Sequence, residues 1–290
     1  MANLKEVRTR IASVSSTQQI TSAMKMVSAA KFRRAQNAIV GMRPYAEQLG
    51  QIVADIDTGD GVRTPYHAVR QVQTVTLVVV TSNKGLCGAF NSNVLKLAMQ
   101  RIEHWRGEKA VVKVVAIGKK ASELLSRQKE LAVESHDELL DAPQFDAVAS
   151  LADQLLADFA DKQTDRVEIV YNQFKNSLSQ VLTCEQFLPV EPRKQEAGKT
   201  KTAASDYIYE PTKEDIMREL VPLTLRSTFY RVVLNSLAAE HGARMTSMQK
   251  ATDNATELLK DLKLSYNKAR QASITNEIIE IVSGSEALKG

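Results

Sequence analysis

VVVTSNKGLCGAFNSN, residues 78–93, is the stretch on which the fold turns. Its β-branched run ends at Thr81-Ser82. A loop with Gly85 and Gly88 follows, and Phe90-Asn91-Ser92-Asn93 opens a helix-like segment. Strand, glycine loop and helix in that order is how many phosphate sites are made, because the first amides of a helix point at an anion. The spacing argues against such a site here. A P-loop needs GxxxxGK[ST] and a dinucleotide loop needs GxGxxG. Gly85-Leu86-Cys87-Gly88 is only GxxG, with no Lys-Ser/Thr behind it. The stretch reads as a strand-to-helix turn.

Its β-branched run belongs to a strand-like segment at 74–82, and further strand-like runs follow at 111–118, 165–174 and 180–190, with a weaker one near Leu131 to Glu134. Helical patterns lie between them at Ser92–Arg106, Lys119–Gln128 and Gln144–Lys162. Strand alternating with helix predicts an α/β layer with a largely parallel sheet. The last two strands are separated only by NSLS or so, which predicts a hairpin.

Outside 74–190 the rhythm is different. Residues 3 to about 57 read as one helix. Leu4, Val7, Ile11 and Val14 follow the 3-4-3 spacing of a coiled-coil seam, continued by Ile20, Met24 and Val27 after a slip and then by Ile39, Met42, Leu49 and Ile56. Pro44 is expected to kink or interrupt it. From about Thr212 to Leu288 the helical period returns, with Pro222 near its start as a possible break. Ala255, Leu259, Leu262, Tyr266, Ala269 and Ser273 form a second seam. At ~1.5 Å per residue the two helices would be roughly 80 and 105 Å long. Neither can bury its seam alone, so the two are expected to pair.

The organisation predicted is an N-terminal coiled-coil helix (1–57), a linker (58–73), an α/β domain (74–190), a linker (191–211) and a C-terminal coiled-coil helix (212–290). The fold class is therefore an α/β globular domain of Rossmann-like layout inserted between two long N- and C-terminal helices that form an antiparallel coiled coil.

Composition excludes several function classes. The chain has 290 residues, 25% of them charged, and a net charge of +4, too mild to imply nucleic acid by itself. The charge is uneven: Lys5, Arg8, Arg10, Lys25, Lys31, Arg33 and Arg34 face only Glu6 in the first 40 residues. Of the aromatics that stack on bases, that stretch has only Phe32. Cys87 and Cys184 are far apart and no Cys/His cluster exists, so neither a metal site nor a disulfide framework is expected. His67, His104, His136 and His241 are scattered without HExxH, and no serine lies in GxSxG, so no catalytic site and no cofactor are expected. The longest apolar runs are about seven residues, against the ~20 a bilayer requires. The start, MANLKEVRTR, has no secretory h-region.

SLAAEHGARMTSMQKATDNAT (236–256) is unusual for its small side chains: Ala238, Ala239, Gly242, Ala243, Thr246, Ser247, Ala251, Thr252 and Ala255. About half are expected to pack against the other helix and the rest to face outward. Such a rod suits a surface that touches a partner without locking to it.

ARMTSMQKATDNA (243–255) and SYNKARQASITNEIIEIVSG (265–284) closely resemble the last helix of the gamma subunits of F-type ATP synthases. KEVRTRIASVSSTQQITSAMKMVSAAKFRRAQ (5–36) is similar to that family's first helix, and VVVTSNKGLCGAFN and DYIYEP (206–211) match as well. The resemblance implies a central rotor shaft with no catalytic site of its own. One copy stands in a ring of three alpha and three beta subunits. The globule lies near the epsilon subunit and a membrane-embedded c-ring, so that proton-driven rotation takes each beta subunit through its states in turn. It implies contacts with the alpha/beta ring through Met24 and Lys25 on the first helix and Arg244, Gln249, Arg270, Gln271 and Thr275 on the second. Arg244 and Arg270 would be electrostatic catches for carboxylates. Lys25 stands where some relatives carry an acidic residue. Lys84, Gly85 and Gly88 would form a loop toward epsilon or the c-ring. With no transit peptide, the resemblance implies a bacterial protein, peripheral on the cytoplasmic face of the plasma membrane, with no nucleic-acid partner. A free-standing coiled-coil adaptor and a nucleotide-binding α/β protein are the alternatives.

Overall fold

The computed structural model describes residues 4–60, 64–128, 131–176, 179–190, 210 and 212–287, with a few side chains near residue 57 excepted. Residues 191–209 and 211 lie outside the described residues, so the 191–211 linker and nearly all of DYIYEP carry no structural account. Two compact units are present. One comprises residues 29–243; the other joins 1–28 to 244–290. Both divisions fall inside long helices, not at the changes of sequence rhythm.

The larger unit is organised around a five-stranded sheet. β1 (Thr74–Val80), β2 (Val111–Ile117), β3 (Ala132–Ser135), β4 (Arg166–Phe174) and β5 (Gln180–Leu188) stand in the order β3-β2-β1-β4-β5. β1 pairs parallel with both β2 and β4, β2 pairs parallel with β3, and β5 pairs antiparallel with β4, the expected hairpin. The helices are α1 (Leu4–Asp60), α2 (Phe90–Gly107), α3 (Lys119–Leu125), α4 (Phe145–Ala160) and α5 (Lys213–Ala287).

Alternation along β1 sorts its side chains between two faces. Val75, Leu77 and Val79 pack with Val94, Ala98 and Ile102 of α2 and Ala121 and Leu125 of α3. Val78 and Val80 pack with Val148, Leu151, Leu155 and Phe159 of α4. The same second face takes Met217, Val221, Leu225 and Phe229 of α5, four residues apart on one helical stripe, and Ile56 of α1. Parts of the terminal helices are thus a layer of the globule.

The described part of 58–73 is pinned. The Tyr66 carbonyl accepts from the Val190 amide at 2.9 Å. Asp165 accepts from the Gln73 and Thr74 amides, and Arg70 donates to the Phe159 carbonyl at the end of α4.

In the smaller unit α1 and α5 run antiparallel. Gln18 Nε2 donates to Thr256 Oγ1 at 2.7 Å, and Thr252 and Thr21 hydroxyls meet at 2.9 Å, so an advance on one helix is a retreat on the other. The second seam is as expected: Ala255 and Leu259 are buried, and Leu262, Tyr266, Ala269 and Ser273 are half-buried.

Three expectations are corrected. α1 runs unbroken through Pro44 and α5 through Pro222. A proline removes one helical hydrogen bond, and flanking turns held in place can carry the helix past it. The first seam does not slip. Ile20 and Val27 are 57% and 58% exposed, while Val7, Ile11, Val14, Gln18, Thr21, Lys25 and Ser28 keep a 4-3-4-3-4-3 covered stripe. The stripe stays in phase and turns polar, so a search for apolar residues jumps to the wrong face. Lastly, none of the nine small residues between Ala238 and Ala255 is exposed. Ala238, Ala239, Gly242 and Ala255 are buried and the other five are partly covered.

Candidate functional site

In an open α/β sheet, ligands sit outside the carboxyl ends of the strands, where the strand order reverses. Here that point lies between β1 and β4. Cys87 and Phe90, after β1, are buried there against Ala239 of α5, with Phe174 and Ala243 packed alongside. Asn172 Nδ2 donates to the Phe90 carbonyl at 3.0 Å. The crevice that would hold a dinucleotide is filled by the chain's own side chains.

The loop that follows β1 is braced from inside. The Ser82 amide donates to Asn91 Oδ1 at 3.0 Å. Asn91 Nδ2 donates to Ser82 Oγ at 2.8 Å and to Cys87 Sγ at 3.3 Å, and Ser82 Oγ donates to the Lys84 carbonyl at 2.7 Å. Asn83 ties the loop to the segments that follow β3 and β2, donating to the Asp137 carbonyl and accepting from the Lys119 amide at the start of α3. Lys84, Gly85 and Gly88 are exposed on this frame. Gly88 has φ +61°, which a glycine adopts without steric cost. Gly85 has no positive φ and nothing within 4 Å of where a Cβ would stand.

The remaining candidates lie on the helical pair. Arg270 stands on an open groove of about 390 Å³ with Leu4, Lys5, Arg8, Tyr266, Ser273, Ile274 and Glu277, so the antiparallel register brings three cations to one place. Gln271 and Thr275 are exposed one turn apart, Thr275 Oγ1 donating to the Gln271 carbonyl at 2.9 Å. Gln249 is half-buried and donates to Asp253 at 2.8 Å. Met24 and Lys25 are half-buried, and Arg244 is only 7% exposed. Farther along α5, Ile274, Ile278, Ile279, Ile281 and Val282 are 48–71% exposed, an apolar run with no cover among the described residues.

A model of the ATP synthase family matches residues 3–288. An ATP synthase gamma chain of Flavobacterium johnsoniae is 52% identical over the whole of both chains, and one of a Geobacter species is 42% identical, again over both full lengths. This chain belongs to the ATP synthase gamma-chain family. A solved structure of the OSCP/F1/c-ring part of Euglena gracilis mitochondrial ATP synthase matches with a TM-score of 0.70 at 22% identity, covering 98% of this chain and 94% of that one. The central stalk of Tetrahymena thermophila mitochondrial ATP synthase matches at 0.59 and 28% identity, over 80% of this chain and 99% of that one. The Rossmann-like sheet between long terminal helices is therefore a gamma-chain architecture.

Sequence reasoning missed two features of this member of the family. The first is a charged cluster on the α2 side of the sheet. Glu168, 2% exposed, accepts from Arg101 Nε and Nη2 at 2.9 and 2.6 Å, from Arg166 Nε at 2.8 Å and from Trp105 Nε1 at 3.2 Å. Burial pushes its carboxyl up, but the bonds from Arg101, Arg166 and Trp105 outweigh it and hold the group below the usual carboxylate range. The Cys184 thiol donates to Glu168 at 3.6 Å. Burial of the sulfur and the neighbouring carboxylate push that thiol up to about 11. Every strong donor faces one acceptor, so the cluster clamps α2 to β4. Only Glu168 within the apolar alternation of β4 signals it in the sequence. The second missed feature is the pairing of Lys5 and Arg8 with Arg270, which needs the register of the two helices.

Proposed function

We propose that this chain is the central shaft of an F-type ATP synthase, a non-catalytic subunit that couples c-ring rotation to conformational change in three catalytic beta subunits. The observation that carries it is the uncovered end of the helical pair. Ile274 to Val282 leave an apolar face open beside the cations Lys5, Arg8 and Arg270. Exposed apolar runs of that size mark surfaces that a partner covers. Since one shaft presents different faces to three equal sites, each site meets a different contact energy. That difference is what shifts conformational populations.

The partners are three alpha and three beta subunits, the epsilon subunit and the c-ring, with one copy of this chain per complex. Segments 1–57 and 212–290 supply the shaft helices, whose 29–57 and 212–243 stretches share a unit with the 74–190 globule. Among the described residues no helix is long and apolar enough to cross a membrane. The chain is proposed to reach the membrane through the c-ring, on the cytoplasmic face of a bacterial plasma membrane. Met24, Lys25, Arg244, Gln249, Arg270, Gln271 and Thr275 are the proposed ring contacts. Lys84, Gly85 and Gly88 are the proposed contacts on the epsilon and c-ring side. Arg270 is the stronger catch, since it stands exposed, whereas Arg244 is buried.

Native mass of a mild-detergent pull-down from the source membranes tests the reading. One copy with three alpha and three beta subunits is expected; recovery of the chain free of them would sink it. Arg270→Ala is expected to lower proton-driven ATP synthesis several-fold while the same assembly forms. Unchanged synthesis would remove the catch role from Arg270.

A further inference from the structure

α5 lies against the α4 face of the sheet on one apolar stripe. Met217, Val221, Leu225, Phe229 and Val232 are buried there. At about 100° per residue, these positions spread no more than about 80° to either side of Leu225. Apolar burial is non-directional. It holds the helix down, but a small roll about the helix axis leaves most of the stripe covered.

Both rims of the stripe carry directional bonds. On one rim Arg226 Nε donates to Asp153 Oδ1 of α4 at 2.6 Å. One turn on, the Tyr230 hydroxyl donates to the Pro143 carbonyl at 3.2 Å, and its ring meets Phe145 edge-on at the start of α4. On the other rim Arg231 Nη2 stands 3.5 Å from Glu185 Oε1 of β5, and the Tyr171 hydroxyl of β4 holds Glu185 from behind at 2.9 Å. Arg226 and Tyr230 lie about 100° and 140° round from Leu225 in one sense, and Arg231 about 120° round in the other. A roll of α5 in either sense therefore lifts one rim from its partner and drives the other toward the sheet. Stability does not account for these bonds. The side chains of both ion pairs are 36–44% exposed, and pairs so wet add little to folding. The buried stripe supplies the adhesion.

We infer that Arg226, Tyr230 and Arg231 are positioning residues that key α5 into its seat, so that torque applied to the globule reaches the shaft without the helix rolling. This deepens the shaft reading and rests on it. It names where rotation crosses from the sheet to α5. α1 is held to the same unit by apolar contacts, through Ile56 in the core and Phe32 edge-on to Phe174.

The test uses the assembled ATP synthase in sealed vesicles, with ATP hydrolysis and proton pumping followed together as the opposing gradient rises. The combined variant Arg226→Met, Tyr230→Phe and Arg231→Met keeps the apolar stems and the ring and removes the polar ends. Without load it is expected to match the unaltered complex in protons pumped per ATP hydrolysed. Against a steep gradient that ratio should fall severalfold, because hydrolysis continues while α5 slips in its seat. A merely structural role would lower the melting temperature of the free chain and leave the ratio unchanged at every gradient, and that result overturns the proposal. The reversed pair Asp153→Arg with Arg226→Asp should hold the ratio under load better than either half alone. If it does no better, Arg226 is not a key. Where the combined variant assembles poorly, the reversed pair and its halves decide. If the unaltered complex does not contain this chain, the shaft reading itself fails, an outcome separate from failure of the keys.

Discussion

In the sheet unit, Val75, Leu77, Val78, Val79 and Val80 of one strand are all fully buried. In the helical pair, Val7, Met248, Ala255 and Leu259 are the only buried apolar residues among those described, and each keeps 4–8% exposure. The first region satisfies itself. A largely parallel sheet covered on both faces removes Val75 to Val80 of β1 from water, and charged groups close on one another around Glu168. The second is half-finished. Its seam is thin and partly polar, and its outward faces carry Ile20, Val27, Ile278 and Ile281 into solvent. A self-sufficient body can be held as a rigid unit. A helical pair with bare apolar and cationic faces is suited to be covered by something else.

The contrast can be broken by core truncation. Phe159→Ala, at a fully buried site, is expected to destabilise the sheet unit by about 3–5 kcal/mol, read from the urea midpoint. Leu259→Ala should cost the free chain no more than about 2 kcal/mol, at the low end for a leucine because the seam is shallow. Amide exchange should show that loss between 244 and 287 and not in the sheet. Equal losses, or losses that spread through both units, would remove the distinction.

The Glu168 cluster sharpens it from the electrostatic side. Glu168→Gln strands Arg101 and Arg166 without a carboxylate and is expected to cost about 2–3 kcal/mol, less than a deeply buried pair because the arginines reach solvent. A carboxyl held below its unfolded value contributes stability that is full above the ordinary glutamate range. The contribution is lost as pH falls through the folded value. The unaltered chain should therefore lose stability in acid below about pH 4 more steeply than Glu168→Gln, as read from denaturation midpoints across pH. Cys184 should alkylate slowly at pH 8 and speed up toward pH 11, and the Gln variant should shift that profile downward. Parallel acid profiles for the two proteins would mean that Glu168 is not the titrating group.

The smallest effect belongs to the polar seam. Gln18→Ala removes an exposed bond to Thr256 and should change stability by no more than about 0.5 kcal/mol. A loss of several kcal/mol would show the helical pair to be as tightly determined as the sheet.

Much of this was legible in advance, and the failures have one source. The alternation of strand-like runs and helical patterns through 74–190 announced the largely parallel α/β sheet. Asn-Ser-Leu-Ser announced the hairpin, and the Ala255–Ser273 stripe announced the second seam. The first seam was misplaced at Ile20 and Val27 because hydrophobicity alone was followed, while the covered positions there are Gln18, Thr21, Lys25 and Ser28. Pro44, expected to kink or interrupt its helix, and Pro222, a possible break, both lie inside continuous helices, because a proline's local effect yields to flanking turns held in place. The outward placement of part of 236–256 failed because burial of an alanine or threonine depends on what arrives from elsewhere in the chain. Of the candidate contacts, Arg270, Gln271 and Thr275 do stand exposed, while Arg244 is buried.

By itself the sequence determined the elements and their kind. Period, β-branching and turn residues act within a few positions, so strand, hairpin and long helix are written locally. The tertiary structure alone decided which faces are covered. It set the sheet order that puts Phe90, Cys87 and Ala239 in the crevice, the register that gathers Lys5, Arg8 and Arg270, and the loop frame that buries Cys87 and expels Leu86. Each depends on residues far apart in the chain meeting at a few ångströms, and no local preference encodes such a meeting.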